Sequence, residues 1–272
     1  MTPPKIIVRY FIGSSGRFIS SLLQSLIEPL ELVESHRAHL NFEHYRCHTY
    51  TRPGRDMSVY DKFTTKLDQT EEELELGAQY FRDTITWELD YVTQKPPPMY
   101  ILSCHAYNPE PMLRGIENSR VVNITFELAD LDQISYNFIT KNVIEDNNHQ
   151  DLVDMIRFLR DKWPKGLPPL DIDQIDWSDA RQLSFINKWL NIHTSYLFNS
   201  VSKKMANDPR AFNIKFSDIA NKNLIKQLPD LVKFIGIDAG PERIKNATAL
   251  INRYADAQTP VPWSLEFQDY KK

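Results

Sequence analysis

Apolar positions in this chain fall into short continuous runs that alternate with segments of helical period. Lys5-Ile6-Ile7-Val8-Arg9-Tyr10-Phe11-Ile12 is β-branched and almost unbroken, which predicts a strand buried on both faces. It passes through Gly13-Ser14-Ser15-Gly16 into residues 17–30, where Phe18, Leu22, Leu23, Leu26 and Leu30 share one side of a helix. Thr70-Glu71-Glu72-Glu73 is a capping box, with Thr70 as N-cap and Glu73 at the third helical position. The helix it opens carries Leu74, Ala78, Phe81, Ile85, Leu89 and Val92 at helical spacing and stops at Lys95-Pro96-Pro97-Pro98. Runs of strand length follow at 99–104, 120–125 and 211–216, the first two separated by a link containing Pro and Asn. Helices are predicted over 132–141, 150–163 and 178–206, through Leu224, Leu228 and Leu231 before the run Val232 to Gly236, and from Pro241 to about Tyr254. Strands alternating with helices predict an α/β fold on a mostly parallel sheet. Residues 34–66 keep neither period, being polar, rich in His, Tyr and Arg, and broken by Pro53-Gly54. An insertion or lid, or else a loop region with short strands, is expected there, the variable insertion or lid running over about 34–96.

Composition narrows the class. The 272 residues suffice for one large α/β domain or two small ones, and one is expected. With 42% hydrophobic and 25% charged residues and a mean hydropathy of −0.45, the chain reads as an ordinary soluble globular protein. A formal charge of −4 lacks the basic footprint of a nucleic-acid or acidic-membrane binder. Cys47 and Cys104 are too few for a disulfide framework and predict reduced thiols. No leader precedes the first strand and no apolar run approaches the ~18 residues of a membrane span, so a cytoplasmic protein is expected.

Candidate chemistry gathers at strand ends. A strand that turns through Gly13-Ser14-Ser15-Gly16 into a helix aims backbone N–H groups and the positive helix end at one point, which suits phosphate or sulfate. The same glycines also serve a plain βα turn. Arg17 adds a planar donor fork beside that point, or else a solvated first-turn cation. The spacing is not that of the Walker loop, which requires four residues between its glycines and a following Lys-Ser or Lys-Thr. His105, directly after the second strand, falls at the carboxyl edge of a parallel sheet, where open α/β folds bind ligands. It is either a general base near working pH or a hydrogen-bonded histidine at a strand end. His36, His39, His44, Cys47 and His48 lie close together but match no zinc spacing, and no metal is expected.

Taken in order, Gly13-Ser14-Ser15-Gly16-Arg17-Phe18, Cys104-His105, the run Val121 to Thr125 with Asp132-Gln133-Ile134-Ser135-Tyr136, Ile214 to Ile219 and Leu231 to Gly236 resemble the P-loop sulfotransferase family. The resemblance covers most of residues 5 to about 255 and implies a three-layer α/β/α fold. It implies a transferase in which Gly13, Ser14, Ser15, Gly16, Arg17 and Phe18 hold the 5′ end of a nucleotide donor, 3′-phosphoadenosine 5′-phosphosulfate. Ser135, with Asn137 and Lys141 on the same helix, would hold the 3′-phosphate. His105 would take the proton of a hydroxyl or amine on a carbohydrate or small-molecule acceptor, with Arg17 as the cation. Ser14 occupies the place of the family's loop lysine, and Phe126-Glu127-Leu128-Ala129-Asp130 that of its 3′-phosphate arginine. Two alternatives stay open, a non-catalytic nucleotide- or anion-binding protein on the same fold and a kinase-like phosphotransferase.

Overall fold

Strands β1 (Lys5–Arg9), β2 (Cys47–Thr49), β3 (Tyr100–Cys104), β4 (Ser119–Thr125) and β5 (Ala211–Lys215) pair in parallel in the order β2-β3-β1-β4-β5. They were located in a computed structural model that describes residues 5–11, 14–26, 47–49, 69–92, 100–104, 108–140, 150, 152–153, 175–258 and 260–261. The parallel α/β architecture expected from the alternation of strands and helices is therefore present. β1 is central, and Ile6, Ile7, Val8 and Arg9 on it have no exposed surface. That burial explains its nearly continuous apolarity. β2 is a short edge strand inside the polar region 34–66.

The described helices are α1 (Gly16–Ser25), α2 (Glu71–Val92), α3 (Glu110–Gly115), α4 (Leu131–Phe138), α5 (Ala180–Met205), α6 (Phe216–Ala220), α7 (Leu224–Ile235) and α8 (Pro241–Asp256). The molecule divides into two compact units, residues 1–125 with 197–258 and residues 126–196 with 259–272. The first holds the whole sheet. In the second, a reciprocal cap between Glu127 and Asp130 precedes α4, Asp132 pairs with Lys188 of α5, and the Val261 N–H donates to Gln133 at 2.9 Å.

Local signals account for three of the described helix ends. The Thr70 N–H donates to Glu73 at 2.8 Å and the Glu73 N–H to the Thr70 hydroxyl at 3.2 Å, which completes the capping box. α7 stops at Gly236, whose φ of 76° lets the chain leave the helix while its N–H bonds back to Val232 and Lys233. Pro241 occupies the first turn of α8, where its missing N–H costs nothing.

Two features depart from the pattern-based expectation. The link between β3 and β4 contains α3, whose Pro111 and Gly115 look like breakers in sequence. Pro111 sits in the first turn, and Gly115 is where α3 meets α2: a Cβ there would lie 2.2 Å from the Ala78 carbonyl oxygen and 2.9 Å from the Phe81 Cβ. Phe216, expected to end a strand, begins α6 instead. The β4–β5 register runs out at Thr125–Lys215, so the next backbone groups close a helical turn rather than a ladder. The expected helix over 150–163 and the loop at 164–169 lie almost wholly outside the described residues.

Since Gly115 admits no Cβ without displacing α2 backbone, Gly115→Ala should cost about 1–3 kcal/mol. Urea unfolding should show a lower midpoint at unchanged slope; an unchanged midpoint would refute this packing.

Candidate functional site

The turn after β1 closes on a single acceptor. The Phe11 carbonyl takes the Ser14 N–H at 2.9 Å and the Ser14 hydroxyl at 2.6 Å, and Ser14 is completely buried. Ser15 then adopts φ 70° and ψ 21°, a left-handed conformation unusual outside glycine, and Gly16 begins α1. Gly16 is required sterically, because a Cβ would fall 2.0–2.2 Å from ring atoms of Tyr10. A left-handed residue followed by a helical one turns successive N–H groups toward a common point, and the first turn of any helix leaves its N–H groups without intrahelical acceptors. Ser15 does not cap them with its own side chain, and the first turn of α1 carries no acidic residue. Among the described residues, then, the positive end of α1 has the character that attracts an anion.

What holds Ser15 in place comes from the far end of the chain. The Tyr254 hydroxyl on α8 donates to Ser15 Oγ at 2.8 Å, and its ring stacks on Phe18 with centroids 3.9 Å apart and planes 17° from parallel. Tyr254 as a whole is half-buried, but its phenol end is out of water. Burial pushes that phenol above its ordinary value, against the opposing effect of hydrogen bonds with Ser15 and Gln258.

Beneath the turn, register places Cys104, Arg9, Asn123 and Asn213 in one row across β3, β1, β4 and β5. Residues opposite one another in register share a sheet face. Arg9 donates to Asn123 Oδ1 at 2.6 Å, to Ser202 Oγ at 2.9 Å and to the Phe198 carbonyl at 3.0 Å. Its guanidinium carbon lies 3.6 Å from the centre of the Phe198 ring. Asn123 in turn donates to Asn213 Oδ1 at 2.8 Å. Phe198 meets Phe11 edge to face at 5.6 Å, which connects the row to the acceptor that closes the turn.

The strand order gives this row its position. From β1 the chain goes to β2 on one side of the sheet, whereas β4 and β5 lie on the other side of β1. The direction of winding therefore reverses between β1 and β4, where α/β sheets open a ligand crevice at their carboxyl ends. Arg9 and Asn123 pair across that boundary.

The sequence-predicted site residues distribute as follows. Ser14, Ser15, Gly16 and Phe18 come together at the turn. Ser14 commits both its donors to closing it. Arg17 lies in the first turn of α1 by its backbone, while its side chain, like Gly13, His105 and Lys141, is outside the described residues. Ser135 is buried on α4 of the second unit, where Asn137 accepts a hydrogen bond from Gln133 at 2.8 Å. Arg9, Asn123 and Tyr254 are new. Arg9 reads in sequence as one more residue of a buried strand, and its only signal was a charge inside an apolar run.

A concavity of about 530 Å³ lies elsewhere, lined by Ser119, Arg120, Pro209, Arg210, Asp230, Lys233 and Phe234 at the amino end of the sheet. Two of its cations are committed to the fold. Arg120 donates to the Phe234 carbonyl near the end of α7, and Arg210 is held by Asp208 and Glu110, whose carboxylates raise its pKa. At the carboxyl-edge turn, by contrast, the first N–H groups of α1 meet no side-chain cap from Ser15 and no acidic residue of the first turn. Among the described residues no group of His, Cys, Asp and Glu could hold a metal, and no helix is long and apolar enough to cross a membrane.

No protein-family model matches the chain, and no curated protein matches it. Among solved structures, a sulfotransferase from Alicyclobacillus acidocaldarius aligns over 95% of this chain and 94% of its own, at 12% identity and a TM-score of 0.40. That score is too low to carry an argument, so the functional reading stands on this chain's own residues.

The raised Tyr254 pKa predicts an alkaline signature. The native state holds the phenolic proton more tightly than the unfolded chain, so the stabilisation is complete below the unfolded tyrosine value of about 10 and is lost as pH rises through the folded value. Tyr254→Phe should lose about 1 kcal/mol at neutral pH with the Ser15 hydrogen bond. The stability gap from wild type should narrow in urea titrations above about pH 10. A gap independent of pH would contradict a withdrawn phenol.

Proposed function

We propose that this chain is a sulfotransferase-like enzyme of three-layer α/β architecture. It would move a sulfuryl group from 3′-phosphoadenosine 5′-phosphosulfate to a hydroxyl or amine of a carbohydrate or small-molecule acceptor. One observation carries the reading: the start of α1, led by a left-handed Ser15 that does not cap it and whose hydroxyl is turned to Tyr254, at the carboxyl end of the central strand and beside the winding reversal. The order of motifs along the sequence supports it.

In this reading the backbone N–H groups at Ser15, Gly16, Arg17 and Phe18 hold the transferring anion, with the Arg17 guanidinium as the cation beside it. The acceptor oxygen or nitrogen forms a bond to sulfur while the bridging S–O bond breaks, leaving adenosine 3′,5′-bisphosphate. His105 takes the acceptor proton. The work asked of the protein is positioning and charge stabilisation, which fixed N–H dipoles supply without reorganising.

A second reading, a non-catalytic anion-binding protein, draws on Ser14. That residue stands at the family's lysine position and is turned inward onto Phe11, so its side chain places no cation at the turn.

Thermal denaturation with ligands decides between them. Adenosine 3′,5′-bisphosphate should raise the midpoint of the wild type, and Arg17→Ala should abolish most of that rise. His105→Ala should keep the rise but lose transfer to a panel of hydroxyl and amine acceptors by about 100-fold or more. Stabilisation by Mg-ATP alone would reject the sulfuryl donor, and turnover unchanged in His105→Ala would remove that residue from the reaction. Bisphosphate binding without transfer to any acceptor would favour the non-catalytic protein.

A further inference from the structure

The concavity at the amino end of the sheet has no part in the reaction proposed above, yet it combines an aromatic surface with charged groups. At about 530 Å³ it has the size of a small-molecule site. Three elements of the first unit build it: Arg120 comes from β4, Pro209 and Arg210 lead into β5, and Asp230, Lys233 and Phe234 stand on α7. Phe234 is half-buried, and its ring meets that of Phe212 with centres 5.5 Å apart. Arg120 donates to the Phe234 carbonyl, and its guanidinium carbon lies 5.6 Å from the centre of the Phe234 ring. A planar cation is thus fixed beside an aromatic surface before any ligand arrives, which lowers the ordering cost of binding.

Charge decides what such a surface takes. Arg210 is met by Asp208 and Glu110, so its charge is largely answered within the fold. Arg120 and Lys233 then bring two positive charges against the one negative charge of Asp230, which stands exposed one turn before Lys233. The negative end of α7 lies here too, with Arg120 seated on its Phe234 carbonyl. A single negative charge is favoured at this balance, and a second is opposed by Asp230 and by the helix end. A bare ion would leave Phe234 and Pro209 in water. An anion carried on a flat ring covers them, and at a partly exposed site covered apolar surface adds more affinity than charge pairing alone.

We propose that the amino-edge concavity is a second ligand site, separate from the β1–α1 turn, for an aromatic monoanion: a carboxylate or a sulfate monoester borne on a flat ring. The ring packs on Phe234 and Pro209. Two oxygens of the anion face the Arg120 fork, whose geometry matches them, and Lys233 adds a mobile ammonium at the rim. Asp230 sets the limit of one charge.

Benzoate is the probe, followed in the full chain at constant ionic strength through the backbone amide NMR shifts of Lys233 and Phe234, with the Gly16 amide reporting on the turn. Benzoate should move the first two saturably, and acetate, which has the charge without the ring, should bind about tenfold more weakly. Phenyl sulfate should bind within about threefold of benzoate, since it too carries one charge on a ring. Lys233→Gln, at an exposed position that leaves the fold intact, should weaken benzoate about fivefold. Phenyl phosphate, a dianion at about pH 8, should bind wild type more weakly than benzoate does. Asp230→Asn should tighten benzoate about threefold and phenyl phosphate by more. Acetate binding as tightly as benzoate would overturn the aromatic ligand, and affinities unchanged in Asp230→Asn would overturn the limit of one charge. Benzoate that moves Gly16 but neither Lys233 nor Phe234 would assign the ligand to the turn, overturning the second site while the proposed function stands. No saturable shift at Lys233 and Phe234 with either benzoate or phenyl sulfate would overturn the second site outright.

Discussion

Burying one guanidinium at the carboxyl end of the central strand is the constraint around which this sheet is organised. A charge out of water is tolerated only where fixed acceptors meet it. Here they come from β4 and from two positions one helical turn apart on α5, Phe198 and Ser202. Asn123 is itself held by Asn213, so the polar row crosses β1, β4 and β5 in one register. A slip of β4 by one residue would point Asn123 to the opposite face and leave Arg9 short of an acceptor. Apolar side chains above the row drive the strands together, while the row itself selects the register in which they do so.

The same arrangement prepares the turn. Phe198 lies between the Arg9 guanidinium and the Phe11 ring, and Phe11 supplies the carbonyl that takes both Ser14 donors. From the other side, Tyr254 fixes Ser15 and Phe18. Ser15 sits in a strained left-handed conformation, which costs of order 1–3 kcal/mol and persists only where its surroundings over-determine it. Gly16 under the Tyr10 ring and the Tyr254 clasp are those surroundings. Backbone dipoles held this way are oriented before a ligand arrives, the condition under which they stabilise an anion most.

Parallel pairing determines where such a turn lies. Every parallel strand delivers its following helix at the same sheet edge, so the positive helix end and the strand-end residues collect there. The amino edge shows the opposite economy. Arg120 and Arg210 meet a carbonyl and two carboxylates, and Arg210 belongs to a chain of ions through Glu110 and Arg114 to Glu71 on α2. Pairs that are partly exposed contribute little stability each, and their charges are already compensated.

Elements governed by near neighbours were legible from the amino-acid order. The β1–turn–α1 unit, the Thr70–Glu73 box, the stop at Gly236 and the start at Pro241 depend on dihedral preferences and on bonds reaching three to six residues along the chain. α3 escaped the pattern because Pro111 and Gly115 carry breaker signals that only their surroundings reinterpret, a first turn for one and close contact with α2 for the other. The candidate site divides along the same line. Gly16 and its neighbours stand out as a turn in the sequence, but the burial of Arg9, its bonds to residues 114 and 193 positions away, and the clasp of Ser15 by a tyrosine 239 positions away do not. Local order determined that an anion-suited turn follows a buried strand. Only the tertiary structure decided which charge lies beneath it and what holds it open, because those contacts exist once strands distant in sequence are paired and water has been excluded between them.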